Sequence, residues 1–455
     1  MSLFRRLWHP RVPFSPAGLP FFYGWVVLVV AGLGIIGSIP GQTVGVGVFS
    51  DALCEALNIS RLQLSYAYMG GTALSGFLLP LGGQMLDRLG ARRFFVLAAV
   101  LFGLSLAAIS QLDWIRSSLL GWLSADWQLG GLQVNLGSFV ATMGAFLLIR
   151  FSGQGLLTLA PRAMLMKWWN RRRGLVTAIQ GVMVSGVFAS APALLLPLVN
   201  GLGWSGAYLV LAGLALFGLG AMGWLFYRDN PEECGLVMDG KVYPAEKAEP
   251  KNPDLIMRKE FTRGEAMRTY AFWLFTLMMA FQGLFFTAIS FHLVDLGESL
   301  GVGGEGLSHL FGITGLVTIA TNLLVGFLLD HIRLRYVSMA MCLGGMICSG
   351  GLLLMPGSLG QGLFVLGLGM AWGCFPSITG VTYARFFGRQ HLGAISGMAM
   401  SWLVWGSAFG PAGYGQLKAL QGSYRGALAM TLCMYGVFLV GSWFAVNPQR
   451  KVPVA

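Results

Sequence analysis

Apolar runs of about twenty residues, each bounded by a short polar or charged stretch, recur along this chain from end to end. They fall at roughly 22–48, 62–86, 92–112, 136–161, 174–199, 204–227, 269–295, 305–329, 336–355, 360–384, 392–417 and 425–446. About twenty apolar residues in a helix cross the hydrocarbon core of a bilayer. The pattern therefore predicts an all-α membrane protein with twelve transmembrane helices.

Composition agrees with this. With 55% apolar and 11% charged residues and 66 glycines, the 455 residues cannot cover soluble domains with a polar surface. The formal charge of +12 at first suggests a nucleic-acid partner, but its distribution excludes one. With the N-terminus placed inside, 25 of the 30 Lys and Arg residues fall in alternate, cytoplasmic segments and four (Arg61, Arg116, Lys418, Arg425) fall outside. That asymmetry is the positive-inside signature, so both termini are expected in the cytoplasm and the protein in a cell's inner (plasma) membrane. Residues 1–21, with Arg5, Arg6 and Arg11, have neither the short core nor the cleavage site of a secretory signal and read as a retained cytoplasmic tail. The six cysteines lack metal-like spacing, so free thiols are expected, with no metal and no cofactor.

The chain also repeats itself. Gly82-Gly83-Gln84-Met85-Leu86-Asp87-Arg88-Leu89-Gly90-Ala91-Arg92-Arg93 follows the second span, and a degraded copy, Gly326 to Asp330-His331-Ile332-Arg333-Leu334-Arg335, follows the eighth. Gly174 precedes Pro192 by 18 residues, as Gly393 precedes Pro411. Two pseudo-symmetric six-helix bundles are thus expected, at 22–227 and 269–446, with a cytoplasmic tail at 447–455. Asp87 to Gly174 is 87 residues and Asp330 to Gly393 only 63, which marks an insertion at about 113–136. Trp114, Trp122 and Trp127 suit that stretch to the outer headgroup region, though an ordinary apolar loop accounts for it equally. Between the bundles, residues 228–268 carry eight basic and nine acidic side chains with four prolines. This segment reads as a solvated linker with a short amphipathic helix near Arg258–Arg268.

Arg150 is the only charged side chain in the middle of a span. A guanidinium there costs about 3 kcal/mol on insertion scales, so it is expected to face a polar cavity and bind an anion. Gln154, one turn along on the same face, can donate to or accept from whatever Arg150 holds. No Asp or Glu lies mid-span, which leaves His292, with Asp295 and Glu298, as the titratable candidates for proton coupling.

The glycine-rich Asp87-Arg88 loop resembles the signature of the major facilitator superfamily, and the chain resembles that family over nearly its whole length. Three stretches are similar to its monocarboxylate and oxalate/formate porter group: Tyr23-Gly24-Trp25-Val26-Val27, Lys167-Trp168-Trp169-Asn170-Arg171-Arg172-Arg173-Gly174, and Asn230-Pro231-Glu232-Glu233-Cys234-Gly235 with Asp239-Gly240. The resemblance implies alternating access between the two bundles and carriage of small organic anions, with protons or by exchange. Arg150 with Gln154-Gly155 is similar to the Arg and Gln-Gly motif of span four in proton-coupled members. The resemblance further implies that spans one, four, seven and ten line the cavity, favouring Gln42, Arg150 and Gln282. Thr43, Tyr66, Tyr68, Gln180, Thr321, Asn322, Tyr383, Ser401, Trp402 and Trp405 are further candidates, each equally able to serve as a contact between helices. Asp87, Arg88 and Arg92 with Arg162, and Asp330 with Arg385, would form charge clusters that latch the cytoplasmic face. Leu307–Leu329 and Leu392–Leu417, in spans eight and eleven, carry no Lys, Arg, Asp or Glu, unlike the porters resembled, so substrate identity does not carry over.

The sequence thus points to a secondary active transporter of a small, monocarboxylate-like anion, acting as a monomer in the bilayer without nucleic-acid partners. The rivals are a proton-coupled exporter of amphipathic compounds on the same fold, and a non-transporting membrane receptor or scaffold. No nucleophile–base or metal constellation suggests an enzyme.

Overall fold

A computed structural model describes residues 7–119, 126–129, 132–241 and 255–452. Arg5, Arg6, Trp122, Pro244, Pro250 and Pro253 lie outside those residues. Nine helical runs among the described residues are long and apolar enough to cross a membrane. Two of them hold two crossings each. Arg61–Ser110 turns at Gly90 (φ 78°), and the run through Ala191–Gly213 turns at Gly203 (φ 70°), in backbone conformations that favour glycine. The first crossing is split into Gly24–Ile36 and Thr43–Leu57. All twelve crossings are therefore present. The second half contributes Tyr270–Phe291, Gly304–Leu329, Leu334–Leu353, Ser358–Phe387, Leu392–Gln421 and Arg425–Trp443.

The chain packs as two compact units that trade short segments. The first is Met1–Leu165, Met183–Leu236 and Ser396–Ser401; the second is Met166–Val182, Val237–Ile395 and Trp402–Ala455. Small residues make both trades possible. In the second unit Gly174 and Gly326 touch backbone to backbone, and a Cβ on Gly326 would stand 2.8 Å from the Gly174 carbonyl oxygen. In the first, a Cβ on Gly397 would stand 2.9 Å from the Leu79 carbonyl oxygen and 3.0 Å from the Gly83 Cα. Gly83 precedes Asp87 by the interval at which Gly326 precedes Asp330, and Gly397 follows Gly393 as Ala178 follows Gly174, so the Gly83–Gly397 contact repeats the approach of Gly326 to Ala178.

Among the described residues of the insertion, two short strands pair. Asp126–Leu129 pairs antiparallel with Leu132–Asn135, Asp126 opposite Asn135 and Leu129 opposite Leu132. The Gly130-Gly131 pair between alternating residues is the signal for it. The described residues 255–268 of the linker are held by main-chain contacts. Gln449 Oε1 accepts from the main-chain N–H groups of Arg258 (3.0 Å) and Lys259 (2.9 Å), and Phe261 N–H donates to the Phe387 carbonyl at 2.9 Å. The helix expected near 258–268 is shorter, Arg263–Met267, and begins in a Thr262/Glu265 capping box. Lys259 and Thr262 hold the Glu265 carboxyl at about 2.

Candidate functional site

Span one breaks because Gly37-Ser38-Ile39-Pro40-Gly41 cannot continue a helix: Pro40 lacks an N–H, and the chain passes through one 3-10 turn to an extended Gln42. The break leaves the Gly41 carbonyl without a helical partner. Span four comes close at this level, since a Cβ on Gly41 would lie 2.7 Å from the Ile149 carbonyl oxygen and 3.0 Å from the Gly153 Cα. Span four also changes pitch here, Arg150–Leu156 forming a π-helical turn between Leu136–Ile149 and Leu157–Trp168. Such turns are frequent at functional sites.

Arg150 enters this gap and is 1% exposed. Its Nη1 donates to the Gly41 carbonyl at 3.2 Å and to Thr43 Oγ1 at 3.4 Å. The Tyr68 ring lies 5.1 Å from the guanidinium carbon, and the Tyr68 hydroxyl is 2.8 Å from Thr43 Oγ1. Nε and Nη2 have no hydrogen-bond partner among the described residues. The Tyr68 ring and Thr43 lie against the guanidinium, and among the described residues only one of its three nitrogens is engaged. On the same π turn, Gln154 Oε1 is buried and likewise unpartnered among the described residues.

The other candidates are dispersed. Gln42 Nε2 donates to Ser38 Oγ at 2.8 Å, across the break in span one. Gln282 is fully buried and turned to span twelve, its Oε1 accepting from the Tyr435 hydroxyl at 2.6 Å while its Nε2 is unpartnered among the described residues. Asn322 donates to the Ala178 carbonyl at 3.3 Å and accepts from Ser377 Oγ at 3.2 Å, a contact between helices. The Tyr383 hydroxyl is 3.1 Å from Thr276 Oγ1. Trp402 meets Trp273 and Trp405 edge-on, with ring centroids at 5.5 and 5.3 Å. Sequence reasoning missed a half-buried stack in the second unit, where Trp372 lies parallel to Phe286 (3.7 Å) and to Phe375 (4.8 Å). Trp372 and Phe375, three residues apart on one helix face, were the available signal.

The charged groups expected to latch divide sharply. Asp330 accepts from the main-chain N–H groups of Gly174 (2.8 Å) and Leu175 (3.1 Å), at the start of Arg173–Ala189. Arg385 Nη2 stands 3.5 Å from the same carboxylate, and its Nη1 donates to the Leu329 carbonyl at 2.8 Å. Burial raises the Asp330 carboxyl above the usual range, opposed by the two N–H groups and by Arg385. Asp87 is half-buried, Arg88 exposed and Arg162 half-buried. Arg92 donates to the carbonyls of Trp224 (2.9 Å), His9 (3.1 Å) and Val12 (2.8 Å), fastening the N-terminal tail to the end of span six.

At the other end of the second half, Lys418 Nζ lies 2.5 Å from both Asp295 oxygens, and the Tyr424 hydroxyl donates to Oδ2 at 2.5 Å. The Lys418 and then the Tyr424 hydrogen bonds hold the Asp295 carboxyl below its ordinary value. His292 Nε2 donates to the Pro411 carbonyl at 2.8 Å.

The Major Facilitator Superfamily family model matches residues 31–411. Among solved structures, a double-tryptophan mutant of XylE is similar at a TM-score of 0.68 and 15% identity, over 94% of this chain and 98% of that one. The E. coli fucose:proton symporter FucP follows at 0.61 and 12%, over 93% and 99%. The human organic anion transporter MFSD10 (TETRAN) stands at 0.59 and 15%, over 92% and 99%. No characterised protein matches the sequence significantly.

Proposed function

We propose, for a chain that belongs to the Major Facilitator Superfamily, a family of multi-pass membrane transporters, that its cargo is a small organic anion bearing a carboxylate and that Arg150 holds it. The carrying observation is which donors of Arg150 are idle. Nε–H and one Nη2–H point from the same edge of the guanidinium, spaced for the two oxygens of a carboxylate, and both are unpartnered among the described residues. The remaining nitrogen is tied to Gly41 and Thr43, so the group is aimed before the ligand arrives. Among the described residues the contacts of Arg150 are a carbonyl, a hydroxyl and an aromatic ring, with no carboxylate, and an arriving anion relieves the cost of that buried charge. Gln154 on the same turn supplies an acceptor for a hydroxyl or a protonated oxygen of the cargo.

Transport runs by alternating access and draws on a gradient, by proton coupling or exchange. Of the titratable candidates His292 fits the proton better than Asp295, whose pairing with Lys418 and Tyr424 keeps it ionised well into acid. Asp330 with Arg385, and Asp87 with Arg88 and Arg162, serve as latches of the cytoplasmic end; Arg92 braces the tail. The protein works as a monomer with both termini in the cytoplasm. MFSD10 is an organic anion transporter and FucP a proton symporter, so the fold accommodates both cargo classes.

Uptake of mono- and dicarboxylates into proteoliposomes, compared for wild type, Arg150→Ala and Arg150→Lys, tests the reading. Lys keeps the charge but not the two-pronged edge, so both variants are expected to lose uptake; wild-type rates in both would end the proposal. The stack of Phe286, Trp372 and Phe375 favours a second reading, an exporter of amphipathic compounds. Stabilisation of the purified protein by lipophilic cations and not by carboxylates would select it.

A further inference from the structure

We propose that Asp239 and Glu260, at opposite ends of the linker, are a matched pair of positioning residues that shape the two cytoplasmic loops on which the latches close. This rests on the family's conformational cycle and is independent of what Arg150 binds.

Asp239 accepts from the main-chain N–H groups of Asn170 (Oδ1, 3.1 Å) and Arg171 (Oδ2, 3.1 Å), in the loop between spans four and five. Glu260 Oε2 accepts from those of Arg389 (2.7 Å) and Gln390 (2.9 Å), in the loop between spans ten and eleven. Asn170 and Arg171 lie four and three residues before Gly174; Arg389 and Gln390 lie four and three before its repeat mate Gly393. Two carboxylates reaching from different sides of the linker therefore grip the same two positions of the repeat. One follows the first bundle and the other precedes the second, so duplication of a single residue does not explain the match.

Both grips involve unusual backbone. Asp239 holds a left-handed conformation (φ 58°), and Gly388, immediately before the gripped pair, has φ 91° with the Glu260 carboxylate where a Cβ would be. A carboxylate suits the task because both Asp239 oxygens accept and because charge strengthens the two bonds to the single Glu260 oxygen; an amide would turn an N–H group toward an N–H group at Asp239 and leave a weaker, neutral acceptor at Glu260. The first loop is also held by its carbonyls: Arg173 Nε donates to Trp169 (2.7 Å), and Arg389 Nη1 donates to Lys167 (3.3 Å).

A few residues beyond the Asp239 grip come the Gly174 and Leu175 N–H groups that Asp330 receives. Asp330 belongs to the second repeat and Gly174 to the first, so this contact must break and re-form if the cytoplasmic ends part. The Asp239 grip joins residues of the first repeat's own end and can persist, keeping the receiving N–H groups aimed.

Amide hydrogen exchange on the full-length protein tests this, comparing wild type, Asp239→Asn, Asp330→Asn, the double variant and Glu260→Gln. Asp239→Asn is expected to speed exchange about tenfold at Asn170 and Arg171 and also at Gly174 and Leu175, with no further gain at the latter two in the Asp330→Asn background. Glu260→Gln is expected to act likewise at Arg389 and Gln390 and at Gly393 and Ala394, leaving Asn170 and Arg171 unchanged. Asp239→Glu should restore slow exchange at Gly174. Faster exchange confined to the gripped pairs, or no change, would overturn the proposal. Should Asp239→Asn fail to fold, Glu260→Gln carries the same test in the other loop.

Discussion

Arg150 and Asp330 are both charges withdrawn from water, yet their surroundings are opposite in kind. Asp330 is received by two N–H groups and a guanidinium, so most of what it lost in leaving water is replaced. Among the described residues Arg150 has one nitrogen engaged and two without a hydrogen-bond partner. A buried charge whose hydrogen bonds are complete holds structure; one left incomplete is a place for something to arrive. The contrast is what the proposed division between shaping residues and a cargo site rests on.

The sharpest way to break the comparison is to exchange charge for bulk at each position. Arg150→Met should reduce carboxylate uptake by roughly two orders of magnitude, equal to about 2.7 kcal/mol, while leaving the melting temperature unchanged or higher, because an uncompensated charge has gone. A clear fall in melting temperature would show that the guanidinium is structural. Asp330→Asn should do the reverse to stability, lowering it by about 1–3 kcal/mol because an amide turns its own N–H group toward one of the two main-chain N–H groups; chemical denaturation measures it.

The pH dependence of that second effect has a definite sign. The carboxyl of Asp330 is raised in the folded arrangement, so its contribution is fully present below the ordinary carboxylate value of about 4 and declines as pH rises through the folded value. The N–H bonds oppose that decline without reversing it. The difference between wild type and Asp330→Asn should therefore change with pH across the weakly acidic range, and a difference flat in pH would mean that burial does not control this group.

Smaller effects sharpen the contrast. Tyr68→Phe keeps the ring beside Arg150 and removes the link to Thr43; it should change carboxylate affinity severalfold and speed modification of Arg150 by phenylglyoxal, whereas unchanged reactivity would deny Tyr68 a covering role. Asp295→Asn should cost less than about 1 kcal/mol, since the pair with Lys418 is half exposed and screened. With its carboxyl depressed, the small contribution of Asp295 is present above about 4 and lost as pH falls through the folded value.

Much of the fold was legible in the sequence, and the reason differs from element to element. The glycine and aspartate spacing around Asp87 and Asp330 announced the repeat because close helix contact and a helix-end carboxylate each demand particular residue types. Arg150 stood out because a charge at half depth is rare. The grips of Asp239 and Glu260 were not legible, since both sit in a stretch whose mixed charge reads as ordinary solvated linker. Arg92 looked like part of a charge cluster, and only its neighbours show that it serves main-chain carbonyls.

Crossing number, the repeat and the site of a buried charge were decided by the sequence itself, because lipid acts on each twenty-residue segment through its own composition. Which nitrogen of Arg150 is engaged, and which loop amides Asp239 and Glu260 hold, were decided only by the tertiary structure. A hydrogen bond is won by whichever group the fold brings within about 3 Å; for Arg150 that group is the Gly41 carbonyl, 109 positions away.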